Sequence, residues 1–152
     1  MNPLVPIPTS DDFRKCYGCG PDNHAGLRLV FQREPGPDGE PGRVVSTWTP
    51  PETTGGYGRI VHGGVVATML DEAMGWALWG LTGSLGMTRE LTVRYRRPVI
   101  VGRQVTIDGR VAARDERGAT VEARVLDARG RVAAEGTGQF TFVSADRVRD
   151  DA

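Results

Sequence analysis

Apolar and polar residues alternate along most of the chain, and one proline-free stretch in the middle breaks the alternation. Leu27, Leu29 and Phe31 alternate with Arg28, Val30 and Gln32 over Gly26 to Gln32, the period of two that marks a half-buried strand. The run Glu34 to Gly42, rich in Pro and Gly, predicts a turn or loop. Arg43 to Thr49 reads as a β-branched strand stopped by Pro50-Pro51, and Thr53 to Arg59 is Gly-rich and irregular. From Gly63 to Leu81 the residues are mostly Ala, Leu, Met and Trp, which predicts a helix roughly 25–30 Å long. Its apolar positions do not gather on one stripe, so it should be wrapped on most sides.

Four strands are predicted after the helix: one around Leu91, Val93 and Tyr95, then Val105 to Ala113, Thr120 to Leu126 and Arg131 to Val143. Asp115-Glu116-Arg117-Gly118 and Asp127-Ala128-Arg129-Gly130 join the last three, each ending in a Gly suited to a left-handed closing residue. These three form an antiparallel meander. With no second long helix to cover the first, the sheet must do it, and the fold class is α+β, an antiparallel sheet curled around one long central helix.

At 152 residues the chain is the size of one domain, 1–152, with an N-terminal arm over 1–12 and a loose polar tail over 144–152. Lys+Arg and Asp+Glu both number 19 with no basic block, which argues against nucleic acid as a ligand. No apolar run approaches the roughly 20 residues of a membrane span. Met1 to Phe13 has no continuous apolar segment of the kind a signal peptide carries, so a cytoplasmic protein is expected.

Two features of the helix point to chemistry. His62-Gly63-Gly64 at its entry leaves backbone N–H groups unshielded where a helix concentrates partial positive charge, a natural seat for an oxyanion. Asp71 lies among Ala67, Leu70, Met74 and Leu78, and a carboxylate buried there would gain basicity from desolvation. Glu72 is about 100° further round, so the two are not expected to share a site, and Glu72 should be a bystander. Gly63 and Asp71 are about 12 Å apart along a straight helix. If they cooperate, one must come from a second copy, which implies a symmetric dimer with two shared sites.

The order Cys16-Tyr17-Gly18-Cys19-Gly20-Pro21-Asp22-Asn23, Gly26-Leu27, Val61-His62-Gly63-Gly64, Ala67-Thr68-Met69-Leu70-Asp71, Met87-Thr88, Leu91 and Tyr95-Arg96-Arg97-Pro98 resembles the hotdog-fold acyl-CoA thioesterases of the phenylacetate-degradation type. The resemblance implies hydrolysis of an acyl-CoA thioester to free acid and CoA at a site straddling two subunits, in a homodimer or dimer of dimers. It implies Asp71 as general base or nucleophile, the Gly63 N–H as the donor that polarises the carbonyl, His62 as an orienting residue and Thr88 as a water-positioning hydroxyl. Gly64 and the strand-end residues Arg96 and Arg97 are expected substrate contacts, though the two arginines point to opposite faces and at most one should touch a phosphate of CoA. Some relatives carry an amide side chain about six residues before the His; here that stretch offers only Thr54 or Tyr57, leaving Thr88 as the other substitute.

No cofactor is expected, because a thiolate departs readily and one donor plus one carboxylate suffices. No metal is expected either: Cys16-x-x-Cys19 is a single pair in a chain with two Cys and two His. Trp76, Trp79, Met74 and Met87 are expected chiefly as core, or as walls of an acyl pocket. The alternative reading is a non-catalytic acyl-CoA-binding or sensing module on the same fold. A hotdog dehydratase is disfavoured by the arrangement of His62 and Asp71.

Overall fold

The computed structural model describes residues 2–150 and contains one sheet and one long helix. The strands are β1 (Val5–Pro6), β2 (Gln32–Glu34), β3 (Arg43–Trp48), β4 (Leu85–Tyr95), β5 (Val105–Arg114), β6 (Gly118–Leu126) and β7 (Val132–Val143), with α1 (Gly63–Thr82) between β3 and β4 and a short α2 (Ala145–Asp150) at the end. All pairings are antiparallel, in the order β1-β2-β3-β5-β6-β7-β4. The expected meander is β5-β6-β7, and the sheet wraps α1: an α+β hotdog arrangement.

Met69, Leu70, Ala73, Met74, Ala77 and Leu78 of α1 are fully buried against Val44, Ile107, Val121 and Val125 of the sheet. The approach is close enough to dictate sequence. A Cβ on Gly109 would lie 2.4 Å from the carbonyl oxygen of Ala73, so β5 passes α1 at backbone distance only because that residue is glycine. His62 caps the start of α1, and Gly83, left-handed at φ 70°, ends it with its N–H on the Trp79 carbonyl.

Three expectations are corrected. Leu27, Leu29 and Phe31 are buried as predicted, but Gly26 to Phe31 is not a strand of the sheet. The Leu27 and Leu29 N–H groups bond the Tyr17 and Gly18 carbonyls, and Arg28 between them has φ 53°. Alternation marks which side chains turn inward; it does not say which backbone they pair with. β4 begins at Leu85 rather than near Leu91, because a bulge at Arg89, between the pairs Thr88–Phe140 and Glu90–Gln139, erases the period of two there. Gly130 has the left-handed φ its turn requires (75°), whereas Gly118 does not; it is glycine because a Cβ would lie 2.0 Å from the Phe140 carbonyl oxygen.

The arm is tied down. β1 pairs with β2, Ile7 packs on Gly80, and the Trp79 indole donates to the Pro8 carbonyl at 2.7 Å. The tail expected to be loose carries α2, whose Arg149 meets Asp12 at 2.6 Å; its last two residues lie outside the described ones. No helix among the described residues is long and apolar enough to cross a membrane.

Candidate active site

The first part of the site is the entry of α1. His62, Gly63 and Gly64 are all exposed. The His62 ring turns back on the helix, its Nδ1 accepting from the Gly64 N–H at 2.9 Å, while its carbonyl accepts from Val65 and Val66. The Gly64 donor is thereby engaged. The N–H of Gly63 finds no acceptor among the described residues and remains an open donor at the positive end of the helix dipole. Its carbonyl is held from behind by the Tyr95 hydroxyl, which donates at 2.7 Å from the end of β4. Neither Thr54 nor Tyr57 reaches into this arrangement: Thr54 is buried with its hydroxyl on the Pro51 carbonyl, and Tyr57 is 87% exposed.

The second part lies along α1. Asp71 is half-buried, and its Oδ1 accepts from the Thr88 hydroxyl of β4 at 2.7 Å. The structure thus brings Asp71 and Thr88 together, 17 residues apart in sequence. Both border a cavity of about 390 Å³ whose walls include Phe13, Trp76, Trp79 and Met87. Phe13 meets both Trp rings edge-on, at 5.6 and 5.7 Å. Met74 is fully buried core, whereas Met87 is 54% exposed at the mouth.

Glu72 does not keep to a separate face, contrary to expectation. It borders the same cavity as Asp71, because the loop carrying Cys16 and Cys19 folds over that flank of α1 and encloses a second helix face. A Cβ on Gly18 would fall 2.2 Å from the Glu72 carboxyl carbon, which is how tightly the loop closes. The Cys16 thiol meets Glu72 Oε1 at 3.2 Å. Burial, reinforced by the neighbouring sulfur, pushes Glu72 up to about 8, and the Cys19 thiol, together with the Cys19 and Gly18 N–H groups, draws Cys16 down to about 5. Cys19 is pushed upward by its bond to Cys16 and by burial. Sequence reasoning missed this cluster, since nothing in residue order joins position 72 to positions 16 and 19.

Arg96 and Arg97 sit beyond the end of β4 and do not border the cavity. Arg96 is paired with Glu135 at 2.6 Å; among the described residues the Arg97 side chain meets only the Val132 carbonyl, at 2.9 Å. Gly63 does not border the cavity either, so one chain holds the open donor and the carboxylate in separate places.

Comparison with known proteins agrees with this architecture. The thioesterase superfamily matches residues 58–134, just over half of the chain. Acyl-coenzyme A thioesterase THEM4 of Xenopus laevis is 35% identical over 91 residues, which are 59% of this chain and 33% of the relative, so the chain matches about a third of that protein's length. The crystal structure of RHA08564, a thioesterase superfamily protein, is 32% identical with a TM-score of 0.73, covering 84% of this chain and 63% of that one. The Escherichia coli PaaI protein from the phenylacetic acid degradation operon shares the fold at 19% identity and a TM-score of 0.62, with 66% and 76% of the two chains covered. Helix, sheet order and sequence agree, and the chain belongs to the thioesterase superfamily, on the hotdog fold.

Proposed function

We propose that the protein hydrolyses acyl-CoA thioesters to the free acid and CoA, at two equivalent sites formed between copies of the chain. The observation that carries this is the Asp71–Thr88 pair at 2.7 Å on an apolar-walled cavity, with a free helix-entry donor too far along the same helix to join it. The Thr88 hydroxyl occupies one carboxylate oxygen and fixes the plane of the group, leaving the other oxygen to take a proton from water. That water attacks the thioester carbonyl carbon. The developing oxyanion accepts from the Gly63 N–H of a second copy, the C–S bond breaks, and the departing thiolate takes up the proton left on Asp71. His62 keeps the entry in shape by engaging the neighbouring N–H. Arg97, which no carboxylate among the described residues neutralises, is the residue suited to a phosphate of CoA; Arg96 is committed to Glu135.

A second copy has a place to dock. β4 is an edge strand of 11 residues, with Met87 and Tyr95 each 54% exposed, and an unpaired edge of that length is a template for the same strand of another chain. The activity of THEM4, named an acyl-coenzyme A thioesterase, supports the choice of substrate class.

The test is free-thiol release from a panel of acyl-CoAs, aryl-acetyl and long-chain forms included, followed by co-expression of Asp71→Asn with Gly63→Pro. Each variant alone should be nearly inactive. Random pairing of the two should restore about a quarter of the native sites, because half of the dimers are mixed and each mixed dimer holds one intact donor–carboxylate pair. Tight binding of acyl-CoA with no thiol release would favour the sensing module instead, and mixing without recovery would refute the shared site.

A further inference from the structure

Among the described residues, the cavity beside Asp71 is lined by four ionisable side chains, Cys16, Cys19, Asp71 and Glu72, and by no Lys, Arg or His. Asp71 is answered by Thr88. The other three face each other: one Sγ from each cysteine and a carboxylate oxygen of Glu72 all lie within 4.8 Å of one another, each half-buried. Protons hold such a cluster together as it stands, and a cation that displaces them gains three donors at once.

We propose that Cys16, Cys19 and Glu72 bind a soft divalent cation of the zinc type, through three protein donors, with the remaining coordination position facing the cavity that holds Asp71. Two thiolates select a soft metal over magnesium or calcium. Around tetrahedral zinc, with bonds of about 2.0–2.3 Å, such donors stand about 3.3–3.8 Å apart, so rotamer adjustments suffice to close the present spacing.

The loop is shaped for this independently of Glu72. The Gly20 N–H closes the turn on the Cys16 carbonyl at 2.9 Å. Gly20 is required there, because a Cβ would lie 2.5 Å from the Cys16 backbone. Cys-x-x-Cys alone supplied too few ligands for a site; the third comes from α1, more than 50 residues on. The cation would pin the N-terminal loop to the middle of α1. The inference does not depend on the thioesterase reading, since metal binding is read without substrate.

The experiment is a Co²⁺ titration of the chelator-treated 152-residue chain under a non-thiol reductant. The expected result is one Co²⁺ per chain, with thiolate-to-metal charge-transfer absorption in the near ultraviolet and the intense visible bands of a tetrahedral centre, displaced by Zn²⁺. Cys16→Ser and Cys19→Ser should each lose most of the charge-transfer intensity. Glu72→Gln, which leaves both thiols in place, should weaken binding by about tenfold or more. Should the native protein show no saturable Co²⁺ binding at micromolar concentrations, or Glu72→Gln bind as tightly as the native chain, the proposal is overturned.

Discussion

The entry of α1 and its middle are built in opposite ways. At the entry His62, Gly63 and Gly64 lie open to solvent, and the group on offer is a backbone donor. Two turns further on, Asp71 and Glu72 border a cavity walled by Phe13, Trp76 and Trp79, and what is on offer there is acceptors. An exposed N–H competes with water and polarises a carbonyl weakly; the same N–H covered by a second copy works at lower dielectric and gains strength. On the proposed reading the two are complementary half-sites: the donor is half-made until a second copy covers it, and the carboxylate already has its cavity.

The largest effect should follow from the buried half. Asp71→Asn keeps the shape and the approach of Thr88 but removes the base, so kcat should fall about 10²–10⁴-fold with little change in KM. Glu72→Gln leaves the Asp71–Thr88 pair intact and should lose at least about tenfold less in steady-state thioester hydrolysis. Equal losses would mean that the two carboxylates act as one unit, and the assignment of the base to Asp71 would be wrong.

The exposed half is tested by removing one hydrogen. Gly63 is the first residue of α1, where proline is compatible with the helix, and His62 before it has ψ 135°, the extended value that a following proline favours. Gly63→Pro should therefore fold with unchanged circular dichroism and lose about 3–4 kcal/mol of transition-state stabilisation, roughly 10²–10³ in kcat. A fully active Gly63→Pro enzyme would remove the helix entry from the mechanism.

Legibility in the sequence follows the same division. The helix, its wrapping, the β5-β6-β7 meander and the residues of the entry could be read because each depends on local periodicity or on turn chemistry. Leu27, Leu29 and Phe31 show the limit: their burial was readable, but their backbone partners in the cysteine loop were not, since those bonds join segments that no period links. β4 was half-read because one bulged residue, Arg89, resets the alternation. The separation expected of Asp71 and Glu72 fails for a related reason. Angular separation on an isolated helix holds for Asp71 and Glu72, yet the loop packed over that flank makes one cavity of two faces. Thr88 was reached only through resemblance, because a single hydroxyl in a strand says nothing of the carboxylate it will meet.

A smaller effect is expected at Thr88. Its hydroxyl donates to a carboxylate, a bond worth about 1.5–3 kcal/mol, so Thr88→Val should cost about 10- to 100-fold in kcat, and Thr88→Ser should restore most of it. The pattern separates a hydroxyl that orients the base from a methyl group that merely packs.

Tyr95 gives the smallest and most discriminating change. Its hydroxyl bonds the Gly63 carbonyl from the outer end of β4, at a residue 54% exposed, so it supports the entry without owning the donor. A neutral bond of this kind contributes about 0.5–1.5 kcal/mol net, and Tyr95→Phe should lower kcat by no more than about tenfold, leaving KM and the thermal midpoint nearly unchanged. Losses as large as those of Gly63→Pro would show that the hydroxyl itself contacts the substrate. The entry would then present two donors, one of them a side chain placed by the edge strand, and the boundary between the exposed and enclosed halves of the site would have to move from the helix to β4.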